Sequence, residues 1–562
     1  MKNIKKIALL TVISQLLILT LGCTKTEDRP PAPVKENVKG DAVEDKPVAD
    51  GNWFIKDPTL DKVEGVGSQR AQAELGLKNQ REIIVAVIDN GVDIQHEELK
   101  NKIWTNPGES GLDQTGHDKS NNGIDDDQNG YIDDVHGWNF LGGQDGRNVE
   151  NETLELTRES LRYDQKIAHG DVLTADEKIY FDQVNLDFNK QLKEAQDLFV
   201  VLSQQQTRIL ANQQVLKDKI QLEDYSVEKL EAISSADTDV VQAKNYLLDI
   251  SHQYRTVARF FRIYQATQSN LDFNLNKNFN PRVIVGDDPN DFTQTHYGNN
   301  DLKGADGSHG THVAGIIAAE KNGVGIDGIA VNVKIMVLRA VPNGDERDKD
   351  IALAVRYAAA NGANIINMSF GKKYSPSKNQ VDEAFLFAAS RGVLLVHAAG
   401  NDAENNDTHS NYPNRNVLAS SIRQAPLQVP TWIEVGASSK DRGFNFIASF
   451  SNYGKKDVDL FAPGVQIKSS IPGNNYAVYS GTSMASPAAA GVAALLMSNF
   501  DAMTAQQAKA ILLHQVRPYD ALEVHLPGTE VLDLPVPFAN LSATGGVIDA
   551  YKSIVYAREL TN

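Results

Sequence analysis

The sequence predicts an α/β fold in three layers, a mostly parallel central sheet covered on both faces and interrupted by an all-α helical insertion. Three observations lead there. Unbroken apolar runs, first Ile83–Ile88 and later Val333–Leu338, have the length and composition of strands buried on both sides. Helical stretches such as Lys349–Asn361 and Val381–Arg391 alternate with such runs, which requires crossovers and therefore parallel strands. Residues 150–280 break the pattern, being polar, glycine-poor and helical.

The 562 residues divide into a leader (1–22), a tether (23–51), a first globular part (52–149), the helical insertion (150–280) and a second globular part (281–562). A net charge of −18, with no basic patch, argues against a nucleic-acid partner. Lys2, Lys5 and Lys6 precede the apolar run Ile7–Leu21, which suits the core of an export signal and is short for a membrane span. Cys23 follows at once and is the only cysteine, which excludes a disulfide framework. Its position resembles the bacterial lipobox, although Leu19 stands four places before it and Thr20 three. The expectation is a lipid anchor at Cys23 on an exported cell-envelope protein, at the outer membrane or surface of a Gram-negative bacterium. An ordinary secretory signal is the alternative. The Pro- and charge-rich tether has the composition of a flexible linker.

In chain order, Ser68–Leu75 reads as a short helix. The strand Ile83–Ile88 ends in Asp89-Asn90-Gly91, placing a carboxylate where open α/β sheets set their sites, although the tripeptide is also an ordinary turn. Within 121–140, Asp125, Asp127, Asn129 and Asp133 stand around Gly130 like the first part of a calcium loop, with His136 in place of the closing Glu. Bound Ca²⁺ and a solvated acidic turn both fit. Thr174-Ala175-Asp176-Glu177 is a capping box, after which Val184, Phe188, Leu192, Ala195, Phe199 and Leu202 make one apolar helix face. Further helices are expected over Thr207–Ile220 and Val240–Tyr264, giving a helical hairpin or small bundle.

Globular patterning resumes near Asn280. Ser308–Gly315 opens a small-residue helix. Ile365–Gly371 and Val393–His397 read as strands, the latter running into Ala398-Ala399-Gly400-Asn401. Ile433–Ala437 and Asp459–Gly464 follow, and Val547–Ala557 is a closing helix. Between them, the small residues Ser480–Ser486 lead into the apolar helix Ala488–Met497, with Pro487 expected in its first turn.

Four residues make a consistent chemical set. Ser483 stands at a helix N-terminus, where unpaired N–H groups and the positive dipole end favour developing negative charge. His309 can take its proton, and Asp89 can orient the imidazole. Asn401 can aim an amide N–H at an oxyanion beside the Ser483 backbone N–H. His309 and His312 stand three apart, a spacing open to a metal pair, but no third ligand or HExxH pattern accompanies them.

The segments around Asp89-Asn90-Gly91, His309–Gly315, Ala399-Gly400-Asn401 and Gly481–Ala485 resemble the subtilisin-like serine proteases, in that family's order. The resemblance covers about 52–140 and 295–560. It implies that Asp89, His309 and Ser483 form the triad and that Asn401 completes the oxyanion hole. It also implies that Met368, Ser369, Phe370, Gly371, Ala398, Ala399 and Gly400 wall the cleft in which an extended polypeptide substrate pairs as an added strand. The expected activity is an endopeptidase working through an acyl-enzyme, with structural Ca²⁺ and no organic cofactor. The alternative is an inactive scaffold that binds partners through its helical insertion. Three departures stand out: Asn90 replaces the usual Ser or Thr, the insertion separates Asp89 and His309 by 220 positions, and little chain precedes the first strand for the usual inhibitory prodomain.

Overall fold

The computed structural model describes residues 42–43, 51–418, 427–529 and 534–561; the leader and Cys23 lie outside them. Two compact bodies are present, one of residues 197–267 and one of the remaining described residues.

The larger body is built on nine strands: β1 (Ile83–Asp89), β2 (Gly137–Asn139), β3 (Val333–Arg339), β4 (Ile365–Met368), β5 (Leu394–Ala398), β6 (Trp432–Ser438), β7 (Leu460–Pro463), β8 (Arg517–Pro518) and β9 (Gly546–Val547). They lie in the order β8-β9-β7-β6-β5-β4-β1-β3-β2, and every pair is parallel except β8 with β9. β1 is interior, in register with β3 (Val85↔Ile335) and β4 (Val87↔Asn367), and its apolar side chains serve both faces. Val85 and Val87 point into one core with Val313, Ala314 and Ala488, whereas Ala86 and Ile88 point into the other with Ile351, Ala354 and Phe385. A strand buried on both sides has no use for polar alternation, which is why these runs are uniformly apolar. The result is the expected three-layer α/β arrangement.

The helices are α1 (Ser68–Glu74), α2 (Glu155–His169), α3 (Ala175–Ile220), α4 (Val227–Glu231), α5 (Thr238–Tyr254), α6 (Val257–Ser269), α7 (Ser308–Ala318), α8 (Asp348–Ala360), α9 (Lys378–Ser390), α10 (Thr482–Ser498), α11 (Ala505–His514) and α12 (Ala550–Thr561). The cores place α7 and α10 on one face of the sheet and α8 and α9 on the other. Among the described residues no helix is long and apolar enough to cross a membrane.

Three local expectations are corrected. α10 begins at Thr482, so Pro487 sits in its second turn and removes the N–H that would have met the Ser483 carbonyl. That carbonyl instead accepts from the Ser369 hydroxyl at 3.0 Å. β4 ends at Met368, and the Ser369 carbonyl just beyond it accepts the Ser483 hydroxyl instead of joining the ladder. In the insertion, α3 runs unbroken for 46 residues, while the expected helix Val240–Tyr264 is split. Arg255 takes φ +66°, a left-handed conformation that ends α5, and the Thr256 hydroxyl caps α6 by accepting the Arg259 N–H at 3.0 Å.

The smaller body has its own core, including Leu202, Ile209, Leu247, Ile250 and Phe260. The stretches on either side of it belong to the larger body, where Leu154, Leu156, Val184, Phe188 and Leu275 cluster. There the start of α2 is held by ion pairs. Glu155 meets Lys372 at 2.7 Å and Arg158 at 2.7 Å, and its N–H donates to Asp345 at 2.9 Å. Burial alone would raise the Glu155 pKa, but Arg158 and Lys372 hold it well below the usual carboxylate range.

Candidate active site

Parallel strands bring their carboxyl ends to one edge of a sheet, and the four chemical residues gather at that edge. Asp89 is the last residue of β1, Ser369 follows β4 and Asn401 follows β5, on three strands adjacent in the order β5-β4-β1. His309 and Ser483 are the second residues of α7 and α10, two helices packed against each other.

The Asp89 carboxylate is 3% exposed and the His309 side chain 25%, so the acid is sealed while the ring stays partly open to solvent. His309 Nδ1 lies 2.7 Å from Asp89 Oδ1, which also accepts the Asn90 N–H at 2.8 Å. With Nδ1–H facing the carboxylate, Nε2 carries the lone pair. Asp89 Oδ2 is buried with no hydrogen-bond partner among the described residues. Asn90 stitches the two segments together: its side-chain oxygen accepts the Gly310 N–H at 3.0 Å, and its side-chain nitrogen donates to the Asp306 carbonyl at 2.9 Å. Gly310 permits the close approach, since a Cβ there would lie 2.3 Å from the Gly91 carbonyl oxygen.

The Ser483 hydroxyl donates to the Ser369 carbonyl at 3.2 Å, so these two serines bond in both directions. The Ser483 N–H is among the first four of α10, which a helix leaves without internal acceptors. Asn401 Oδ1 accepts the Thr482 N–H at 2.8 Å and the Thr482 hydroxyl at 2.9 Å. A backbone N–H can meet only the oxygen of an amide, so this pairing fixes which end of the Asn401 side chain is Nδ2.

His312 stands apart from the site. It is fully buried, its Nε2 lies 3.0 Å from the Ile467 carbonyl and 3.2 Å from that of Ala477, and its ring stacks on Tyr479. Burial, reinforced by His309, pushes its pKa down to about 3. A structural contact to the following hairpin thus accounts for the second histidine of the motif.

Of the residues expected to wall the cleft, Ser369 bonds to Ser483, and the Gly400 N–H donates to the Thr482 hydroxyl at 3.2 Å. Met368 ends β4, and Ser369, Phe370 and Gly371 continue from it; Ala398 ends β5, and Ala399 and Gly400 continue from that. A buried residue that sequence reasoning passed over joins the two. His397, on β5, contacts the Phe370 carbonyl through Nε2 at 2.8 Å and Glu434 through Nδ1 at 2.9 Å.

The acidic loop is arranged differently from the expected ligand set. Asp125 accepts the N–H groups of Asn129 and Gly130, Asp133 accepts those of Asn122 and Gly123, and the Asn129 side-chain oxygen accepts that of Tyr131. These bonds fold the loop. Asp127 instead joins Glu109 and Asp134, with one oxygen of each within 4.8 Å of the others. Glu109 Oε1 accepts the N–H groups of Asp126 and Asp127, while Oε2 is buried and has no hydrogen-bond partner among the described residues. Burial raises the pKa of both Glu109 and Asp134, and neighbouring acidic residues raise them further.

The sequence model of the subtilase family (peptidase S8) matches residues 80–530. The chain is 43% identical to the thermophilic serine proteinase of Bacillus sp. (strain AK1) over 210 residues, 37% of this chain and 46% of the relative. It is 36% identical to subtilisin E of Bacillus subtilis over 205 residues, 36% of this chain and 49% of the relative. The chain thus spans about half the length of the curated relatives it matches. A solved protease structure from Pseudoalteromonas arctica aligns at 28% identity, covering 44% of this chain and 70% of the other, with a TM-score of 0.34. The family match contains all four residues gathered at the sheet edge, from Asp89 to Ser483, and the chain belongs to the subtilase family.

Proposed function

We propose that this protein is a serine endopeptidase that cleaves polypeptides through an acyl-enzyme. The observation that carries the reading is the Asp89–His309 pair at 2.7 Å, set at the same sheet edge as Ser483 at a helix N-terminus. His309 Nε2 takes the Ser483 proton as Oγ attacks the scissile carbonyl, and later delivers it to the leaving amine. The underpaired carboxylate of Asp89 favours the imidazolium formed in that step. The oxyanion is received by the Ser483 N–H and Asn401 Nδ2, the latter held in place through Thr482. A water then attacks the acyl-enzyme with His309 again as base.

Two accompanying readings rest on other observations. The lipobox-like sequence at Cys23 supports export and lipid anchoring at the cell envelope. Glu109, Asp127 and Asp134 support a structural Ca²⁺ site: three carboxylates held close together, one with an orphaned buried oxygen, fit a hard cation taking oxygen ligands. The cation would neutralise the loop and leave the proton transfers to His309.

The deciding experiment is labelling of residues 24–562 with a fluorophosphonate. Labelling that disappears in Ser483→Ala, together with hydrolysis of a denatured protein substrate, is the expected result. A chain that binds no probe and cleaves nothing is an inactive scaffold, and the endopeptidase reading fails.

A further inference from the structure

The Lys372 side chain is 2% exposed, and its ammonium meets three acceptors: Glu155 Oε2 at 2.7 Å, the Glu346 carbonyl at 2.7 Å and Asp348 Oδ1 at 2.8 Å. An ammonium has three N–H donors, so each proton has a place. A buried lysine satisfied in this way cannot shift without leaving charge unpaired, and it therefore fixes the chain that carries it. That chain is the turn after β4. Lys372 also exchanges two backbone hydrogen bonds with Tyr412, each 2.8 Å, and the Phe370 carbonyl meets His397 Nε2 at 2.8 Å. Three residues before Lys372, at most about 10 Å of extended chain, Ser369 trades hydrogen bonds with Ser483. The buried ammonium and the nucleophile are thus tied to one short segment.

Of the three acceptors around that ammonium, Glu155 is the one supplied by the helical insertion. It is the first residue of α2, where the positive end of the helix dipole favours a carboxylate. Arg158 grips it with two bonds, Nε to Oε1 at 3.2 Å and Nη2 to Oε2 at 2.7 Å, and the Glu155 N–H donates to Asp345 at 2.9 Å. The carboxylate is therefore set in place independently of Lys372. We propose that Glu155 is a positioning residue for Ser483: from the root of the insertion it holds Lys372, and through Lys372 the turn whose Ser369 bonds the nucleophile. This rests on the endopeptidase reading. The Ser483 carbonyl relies on Ser369 because Pro487 offers it no helical N–H. Without the Glu155 carboxylate the turn keeps only part of its anchorage, and a misplacement of about 1 Å at reacting atoms costs up to about 10²-fold in rate. Glu155 touches neither substrate nor the proton being transferred; it acts through two intermediaries.

The test compares Glu155→Gln, Lys372→Met and the double variant with the wild-type protein, well below every melting transition. Two quantities are read: the rate constant for fluorophosphonate labelling of Ser483, and kcat and KM on a short peptide substrate. Each single variant is expected to lower the labelling rate and kcat about tenfold (~10-fold, a partial form of the misplacement penalty) with KM changed less than threefold. Because Glu155 acts through Lys372, the double variant should be no slower than Lys372→Met alone. The control is Glu152→Gln, which breaks a neighbouring pair with Arg347 (2.8 Å) in the same root without touching Lys372. It is expected to lower the melting temperature and leave both rates within twofold. Should Glu155→Gln not fold, Glu155→Asp, which keeps the charge and shortens its reach, is read in the same way. Variants that melt lower yet label at the wild-type rate overturn the proposal. So do losses that multiply in the double variant, a loss confined to KM, or an equal slowing in Glu152→Gln. A wild-type protein that does not label overturns the endopeptidase reading itself, and the proposal with it.

Discussion

Two histidines three residues apart on α7 have opposite fates, and the difference is solvent. His309 keeps its ring partly open beside a buried carboxylate, where a proton can be taken and returned. His312 is sealed against the hairpin strands Ile467–Ile471 and Asn475–Ser480 and stays neutral down to about pH 3. An unfolded imidazole protonates below about pH 6.5, so between those values the unfolded chain binds a proton that the native one refuses. Stability is therefore lost as pH falls through that interval, by about 5 kcal/mol over its full width. His312→Gln keeps a donor for the Ile467 carbonyl and removes the titration. Melting temperature followed from pH 7 to pH 4 should fall less steeply in the variant than in the wild-type protein, and parallel slopes would contradict the buried neutral ring.

At the scale of elements, the loop 106–134 has a concentration of carboxylates that its internal bonds only partly neutralise. Asn106 Nδ2 donates to Asp127 at 3.0 Å and to Asp134 at 2.7 Å, and Asn129 Nδ2 donates to Asp134 at 2.9 Å, yet Glu109 Oε2 has no hydrogen-bond partner among the described residues. A cation bound only by the folded loop stabilises by RT ln(1 + [Ca²⁺]/Kd), about 2.7 kcal/mol at a hundredfold excess over Kd. Adding Ca²⁺ to EGTA-treated protein should raise the melting temperature. Glu109→Gln should abolish that response, whereas Asp133→Asn, outside the proposed ligand set, should retain it. The reverse pattern would restore the ligand set read from sequence. The two sets share Asp127 and differ for a physical reason: spacing in the sequence picks out local candidates only. Glu109 stands 18 residues before Asp127 and arrives by folding, while Asp125 and Asp133 serve the backbone of their own turns. The same contrast runs through the cleft. Gly481–Ala485 and His309–Gly315 carry their chemistry in contiguous residues and were legible at once. The bond from the Ser369 hydroxyl to the Ser483 carbonyl joins residues 114 positions apart, at a carbonyl to which Pro487, four residues on, supplies no N–H.

For the whole molecule, the open question is what the helical insertion contributes to catalysis. Its composition suggests removing all of 155–275, but the larger body depends on both ends of that stretch. Glu155 and Arg158 share ion pairs and hydrogen bonds with Lys372 and the carbonyls of Asp345 and Glu346, and Leu156, Val184, Phe188 and Leu275 are buried in a common cluster. Loss of activity in such a deletion would report only unpaired buried charge, which costs about 3–5 kcal/mol when one partner is taken away. The informative cut is 197–267, which has its own core. Phe199 and Tyr264 stack with ring centres 5.4 Å apart, so the chain ends exposed by the cut can be joined by a short Gly-Ser linker. If the smaller body only docks partners or spaces the enzyme, the shortened protein keeps a cooperative thermal transition, full fluorophosphonate labelling of Ser483 and kcat/KM on short peptides within about threefold of the wild-type value. If it acts in place of a prodomain as a folding aid, refolding from urea becomes slow or fails while protein purified without denaturation stays active. If it acts as a lid, the shortened protein cleaves large denatured proteins faster than the intact chain, with short peptides unaffected. The separate core and the position of all four candidate catalytic residues outside 197–267 favour the first outcome, and either of the others would give the insertion a direct part in controlling the cleft.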